Sequence, residues 1–164
     1  MTTTILDKKQ IAHKIKRIAF QIYETNVDEK EVVIAGIVSN GFTLAKMIKK
    51  EVEKISPIKV LLCEVVIDKK NPIRQIETSL KKEEYQNKSL ILVDDVLHSG
   101  TTLIYGVKHF LDVPLKQFKT AVLVDRNHKK YPIKADFKGI SLSTSLSENV
   151  SVIFEKNNYS AILE

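Results

Sequence analysis

The chain has 164 residues, 43% hydrophobic and 28% charged, which suits one folded domain with a core of its own and excludes a low-complexity or fibrous chain. A single cysteine, Cys63, excludes an internal disulfide framework, no apolar run approaches the roughly 20 residues of a membrane span, and MTTTILDKKQ lacks the apolar core of an export signal, so the cytoplasm is the expected location. The net charge of +6, from 26 basic and 20 acidic residues, favours anionic ligands without choosing among nucleotides, phosphosugars and nucleic acid.

Residues 7–24 predict a helix. Asp7 is placed to cap it, and Ile11, Ile15, Ile18, Ala19 and Ile22 recur on one face. The lysines and Arg17 fall off that stripe and read as a solvated face. Residues 32–38 (VVIAGIV) are a β-branched run too short for an ordinary helix, as expected of a strand buried on both sides in a parallel sheet. Ser39, Asn40 and Gly41 end it, and a helix is expected over 42–54 with Leu44, Ala45, Ile48 and Val52 inward. A further apolar run covers 58–67. Residues 68–89 are polar, highly charged and contain Pro72; such a stretch is expected to be a lid or a disordered insert, or in part a short hairpin near Asn71.

The strand–loop–helix order then repeats. Residues 90–93 (LILV) read as a strand ending in two carboxylates, Asp94 and Asp95. His98, Ser99, Gly100, Thr101 and Thr102 form a small-residue loop, and a helix follows. Residues 118–124 read as another strand and 125–131 as a charged loop. From 135 onward no helical period is evident; Val150, Val152 and Phe154 alternate as in a half-exposed strand, and 159–163 reads as its partner, with Asn157 and Asn158 turning between them. Alternating strands and helices predict an α/β fold with a mostly parallel sheet.

In open parallel sheets ligands bind beyond the carboxyl ends of strands, where Asp94, Asp95 and the following loop lie. Small residues let several backbone N–H groups face one anion, and Ser99, Thr101 and Thr102 add hydroxyls. A helix dipole contributes only about 0.3–1 kcal/mol, so those hydrogen bonds carry most of the affinity for a phosphate. Two carboxylates repel phosphate; they suit sugar hydroxyls or Mg²⁺. A phosphate with a diol beside it, as in ribose 5-phosphate, satisfies both halves. The chain has neither G-x-x-x-x-G-K-[ST] nor G-x-G-x-x-G.

VDDVLHSGTT closely resembles the phosphoribosyl-diphosphate (PRPP) motif of type I phosphoribosyltransferases. ILDKKQI, AGIVSNGFTLAKMI and VLVDRNHKKYPIKADFKGISLSTSLSENV extend the likeness to the bifunctional family of pyrimidine-operon attenuators and uracil phosphoribosyltransferases. The resemblance implies a type I phosphoribosyltransferase fold as a single domain over 1–164: a mostly parallel sheet flanked by helices, a flexible lid at about 68–89 and a small C-terminal hood at about 135–164. It implies Mg²⁺-dependent transfer of ribose 5-phosphate from PRPP to a nucleobase, most naturally uracil. Asp94 and Asp95 would hold the ribose hydroxyls, support charge at the anomeric carbon and bear on the metal. His98, Ser99, Gly100, Thr101 and Thr102 would bind the 5′-phosphate, and Ser39, Asn40 and Gly41 the pyrophosphate. Phe137 would stack on the base, the backbone at Lys138 would read its edge, and Asp125 and Arg126 would line the approach. His98 is open to two readings, a proton relay or a loop residue engaged only through its N–H. The resemblance further implies a homo-oligomer, dimer or tetramer, with no membrane or DNA partner.

The chain departs from the family pattern in three places. Asn40 stands where an arginine is usual, residues 68–89 are shorter and lack a tyrosine-arginine-acidic signature, and Leu146 follows Thr144 and Ser145 where a lysine is usual. Lys69, Lys70 and Arg74 are candidate replacement cations in the shortened segment. On these residues the enzyme reading leads; the alternatives are a nucleotide-responsive RNA-binding regulator of pyrimidine genes and a PRPP-binding protein with little catalysis.

Overall fold

The computed structural model describes residues 1–145 and 148–164, so the expectation attached to Leu146 lies outside the described residues. Strands β2 (Glu31–Ile37), β3 (Lys59–Val66), β5 (Ser89–Leu97), β6 (Gln117–Asp125) and β7 (Phe137–Ser141) form a parallel sheet, and the short β4 (Glu77–Thr78) adds antiparallel at one edge, in the order β4-β3-β2-β5-β6-β7. The helices are α1 (Lys8–Thr25), α2 (Asn40–Ile55), the single turn α3 (Lys82–Tyr85) and α4 (Thr101–Phe110).

The unbroken apolar runs of the central strands follow from helices on both faces. Val32, Ile34, Ile91 and Val93 point into one core with α1 and α2. Val33, Ala35, Leu90 and Leu92 point into the other, with Leu103 and Phe110 of α4. The stripe read for α1 is the buried face of that helix. Asp7 closes a capping box, its carboxylate accepting from Gln10 N at 2.8 Å while the Gln10 side chain accepts from Asp7 N at 2.9 Å.

A second, antiparallel sheet has the order β1-β9-β8, from β1 (Thr3–Leu6), β8 (Val150–Glu155) and β9 (Asn158–Leu163). Thr3 pairs with Leu163, so the two ends of the chain lie side by side. The β8–β9 turn is Lys156–Asn157, one residue earlier than expected, with Asn157 at φ 66° and Glu155 opposite Asn158; Asn tolerates the left-handed region that such a turn requires.

Of the readings offered for residues 68–89, the short hairpin near Asn71 is the one that forms: β4 folds back antiparallel on β3, Val66 opposite Glu77, through turns at 68–74. The turn α3 follows, with Ile76 and Tyr85 buried and the Tyr85 ring edge-on to Phe110 at 5.0 Å. Two apolar residues spaced through a charged stretch anchor it to α4, a signal too sparse for periodicity to catch. Two further expectations are corrected. The helix after β2 begins at Asn40 rather than 42, so Asn40 and Gly41 belong to its first turn. Residues 137–141, assigned with the hood, instead extend the main sheet alongside β6.

Candidate functional site

β5 continues past Val93 to Leu97, so Asp94 and Asp95 lie within the strand rather than at its end. Successive strand side chains diverge, and the two carboxylates accordingly find different neighbours. Asp94 is buried; its Oδ1 accepts from Asp95 N at 2.9 Å and lies 3.9 Å from Lys69 Nζ. Burial, then the Asp95 charge, holds the Asp94 carboxyl well above the usual carboxylate range against the opposing pull of Lys69. Asp95 is half-buried; its Oδ1 accepts from Val96 N at 2.9 Å and its Oδ2 from Asn40 Nδ2 at 3.1 Å.

The loop after β5 is held by residues from elsewhere in the chain. Ser99 O accepts from Lys130 N at 2.7 Å and Tyr131 N at 3.2 Å. Gly100 has φ +89°, and a Cβ there would lie 2.4 Å from Ile133 Cγ2, so only glycine fits. The Ser99 and Thr101 hydroxyls are 2.8 Å apart, and Thr101 opens α4. A cavity of about 230 Å³ runs along residues 94–103, closed by Lys69 and Val122. His98, Ser99, Gly100, Thr101 and Thr102 all face it, together with both carboxylates. Among the described residues no group of three or more His, Cys, Asp or Glu side chains could cage a metal.

Ser39, Asn40 and Gly41 border this site from β2. The Val38–Ser39 peptide is cis. Gly41 lets α2 start hard against β5: a Cβ would meet Val93 O at 2.8 Å and Asp94 Cα at 3.0 Å. Asn40 Nδ2 donates to Asp95 Oδ2 and, at 2.8 Å, to Val152 O of β8. Its amide therefore ties α2 to the acidic pair and to the small sheet.

Four expected site residues sit otherwise than their assigned roles need. Phe137 is buried in the core, packed with α1 rather than presented to a ligand. Pairing with β6 sets its orientation, which no local pattern reveals. Lys138 O is already taken by Arg17 Nη2 at 2.8 Å, and Gly139 O by the same nitrogen at 2.5 Å. Asp125 is 1% exposed; its Oδ1 accepts from Asn127 N at 3.0 Å, and Lys129 and Lys138 stand 3.7 and 3.9 Å from Oδ2. Arg126 braces rather than lines an approach. Its Nε donates to Thr144 Oγ1 at 3.1 Å, Nη2 to Glu148 O at 2.6 Å and Ser145 O at 3.3 Å, and Nη1 lies 3.1 Å from His98 Nδ1. Arg17, read as part of a solvated face, and Thr144, given no role, owe these contacts to partners 121 and 18 residues away, beyond the reach of local pattern. Of the cations proposed for the short segment, Lys69 reaches the acidic pair, whereas Arg74 pairs with Asp68 at 3.5 Å.

The parallel sheet thus carries a carboxylate pair that leads into a glycine turn and the N-terminus of α4. A family model described as a phosphoribosyl transferase domain matches residues 1–154. Among curated proteins the chain is similar to the bifunctional protein PyrR of Fusobacterium nucleatum, 36% identical over 93% of this chain and 90% of that protein. It is also similar to the bifunctional protein PyrR of Macrococcus caseolyticus, 34% identical over 93% of this chain and 91% of that protein. The chain therefore belongs to the phosphoribosyltransferase family, with the PyrR proteins as its relatives over most of its length. Solved structures show the same fold. A hypoxanthine phosphoribosyltransferase of Trypanosoma cruzi has TM-score 0.78 at 15% identity, covering 97% of this chain and 95% of that one. A hypoxanthine-guanine phosphoribosyltransferase of Bacillus anthracis has TM-score 0.72 at 20% identity, covering 85% and 83%.

Proposed function

We propose that the chain is a PRPP- and nucleotide-binding regulator of pyrimidine genes that acts on their RNA, with phosphoribosyl transfer to uracil as the second activity of the same site. The observation that carries the reading is similarity to bifunctional PyrR proteins over 93% of the chain, together with an intact cavity from Asp94 to Thr102. This reverses the order in which the motif alone ranks the two functions. The reason lies in the leaving-group side of the site. Asn40 brings no charge where the family usually has an arginine, and its amide is engaged by Asp95 and Val152. Among the described residues of the 68–89 segment, Lys69 is the cation paired with the acidic pair. Binding of the ribose phosphate is thereby better provided for than departure of pyrophosphate.

In this reading His98, Ser99, Gly100, Thr101 and Thr102 receive the 5′-phosphate, Asp94 and Asp95 the ribose hydroxyls, and Ser39 and Gly41 present backbone to the diphosphate. Asp94 and Asp95 would bear on a Mg²⁺ ion brought in with the diphosphate, oxygen donors being what such an ion takes. When bound, the ion neutralises the diphosphate. The protein works in the cytoplasm as a homo-oligomer. The test has two arms. Labelled leader RNA of its own pyrimidine genes should be retarded by the protein, more strongly with UMP, and the affinity should fall steeply with salt. PRPP, Mg²⁺ and uracil should yield UMP and pyrophosphate slowly, and Asp95→Asn should lower that rate at least tenfold. No retardation with UMP present sinks the regulator, and no product with any base sinks the enzyme.

A further inference from the structure

His98 and Arg126 make a contact whose chemistry fixes more than its distance. Arg126 Nη1 and His98 Nδ1 are 3.1 Å apart. A guanidinium has donors only and stays charged, so Nδ1 must be the acceptor. An imidazole that accepts at Nδ1 is neutral and carries its proton on Nε2. Arg126 is not free to swing away, because Thr144 Oγ1, Ser145 O and Glu148 O hold the rest of its fork. His98 itself is half-buried in the wall of the cavity, beside Ser99 and Gly100.

We propose that Arg126 is a positioning residue that locks His98 as its Nε2–H tautomer, so that this wall of the cavity offers a ligand a hydrogen-bond donor and no proton acceptor. The inference rests on the nucleotide-binding reading of the cavity. It excludes the proton-relay role for His98, since the only nitrogen able to accept a proton is occupied by a cation. It also specifies the ligand atom that His98 meets as an acceptor oxygen, either a base carbonyl or a phosphate oxygen. Among the described residues, three charged groups act on the ring. Burial and then Arg126 lower its pKa, Asp95 from β5 pulls it up, and Lys69 from the segment after β3 pulls it down. The net effect is a neutral ring.

Long-range proton–nitrogen NMR on histidine-labelled protein reads the tautomer directly. The chain has 4 histidines, and a His98→Gln sample identifies the signals of His98. The expected spectrum of the free protein at neutral pH shows His98 with Nδ1 bare and Nε2 protonated. Thr144→Val, which loosens Arg126 from the far side only, should leave that tautomer in place. Arg126→Met should mix the tautomers and raise the His98 pKa, because a positive neighbour is lost. An imidazolium or an Nδ1–H tautomer in the wild-type protein overturns the inference, whatever the fate of the Arg126 variant. Ligand arms then locate the oxygen. A shift of the Nε2 signal with ribose 5-phosphate assigns it to the sugar phosphate; a shift with UMP alone assigns it to the base. His98→Glu, which puts an acceptor where the donor was, should weaken UMP by on the order of tenfold more than His98→Gln does; equal affinities overturn the donor role. If UMP fails to bind the wild-type protein, the nucleotide reading falls, and the spectrum of the free protein still decides the tautomer.

Discussion

Asp94 is a carboxyl held at a cost to the stability of the fold. Its carboxyl is buried beside Asp95, with Lys69 only 3.9 Å away as partial compensation. A carboxyl whose folded pKa is raised stabilises the fold while protonated, and that contribution is lost as pH rises through the folded pKa. At neutral pH the burial of this carboxyl therefore costs the fold stability. Asp94→Asn removes the charge and can still accept from Asp95 N. Urea unfolding in Mg²⁺-free buffer at neutral pH should show the variant more stable by about 0.5–2 kcal/mol. The gain should shrink on acidification and vanish below the ordinary carboxylate range, where both side chains are neutral. The same variant should lose most of its PRPP affinity by calorimetry. A variant less stable than wild type at neutral pH would show that Asp94 is a satisfied structural group instead. Residue identities made this pair legible in the sequence, since adjacent carboxylates before a glycine turn have few other uses. What they could not reveal is that Asp94 meets Lys69 and Asp95 meets Asn40, because those partners come from separate elements.

The elements divide according to how locally they are specified. α1, α2 and the central strands were legible because their apolar periods are long and their burial is one-sided or complete. β1 was not, since a four-residue strand at one terminus gains its partner, β9, only from the other terminus. Phe137 was misassigned for a related reason: β7 is a fifth parallel strand, and its alternation turns Phe137 toward α1 only once β6 is its neighbour. The 68–89 segment is the instructive intermediate. Its charge and Pro72 suggest a lid, a disordered insert or a short hairpin; the hairpin forms, and Ile76 and Tyr85 dock the segment on the second core. Truncating Tyr85, which is 1% exposed, should cost about 3–5 kcal/mol of unfolding free energy. Limited trypsin digestion gives a sharper check. Lys69, Lys70 and Arg74 lie on exposed turns and should be cut first, whereas Lys82, in the α3 turn, and Lys88, at the head of β5, should be protected. In Tyr85→Ala, cleavage at Lys82 and Lys88 should become as fast as at Arg74; unchanged protection would mean that Tyr85 does not anchor the segment.

On the scale of the molecule, the acidic pair sits where the two sheets meet, and two side chains on opposite flanks hold that junction. Asn40 links Asp95 on β5 to Val152 O on β8. Arg126, just after β6, links His98 to Thr144, Ser145 and Glu148. A ligand seated against Asp95 thus touches the main sheet directly and the small sheet through Asn40. Asn40 is thereby the side chain that joins α2 to both sheets. Asn40→Ala leaves Val152 O without its side-chain donor and Asp95 without its amide partner. Unpairing a fully buried acceptor costs about 1–3 kcal/mol; these two are part-buried, so the unfolding midpoint should fall as the lower end of that range implies. Hydrogen exchange separates this from a general loosening. The amides of β8 and β9 should exchange faster in the variant while those of β2 and β3, in the centre of the main sheet, keep their protection. PRPP should slow exchange in β8 of the wild-type protein and have a much smaller effect there in Asn40→Ala. Equal slowing in both proteins would mean that the small sheet senses the ligand by a route other than Asn40.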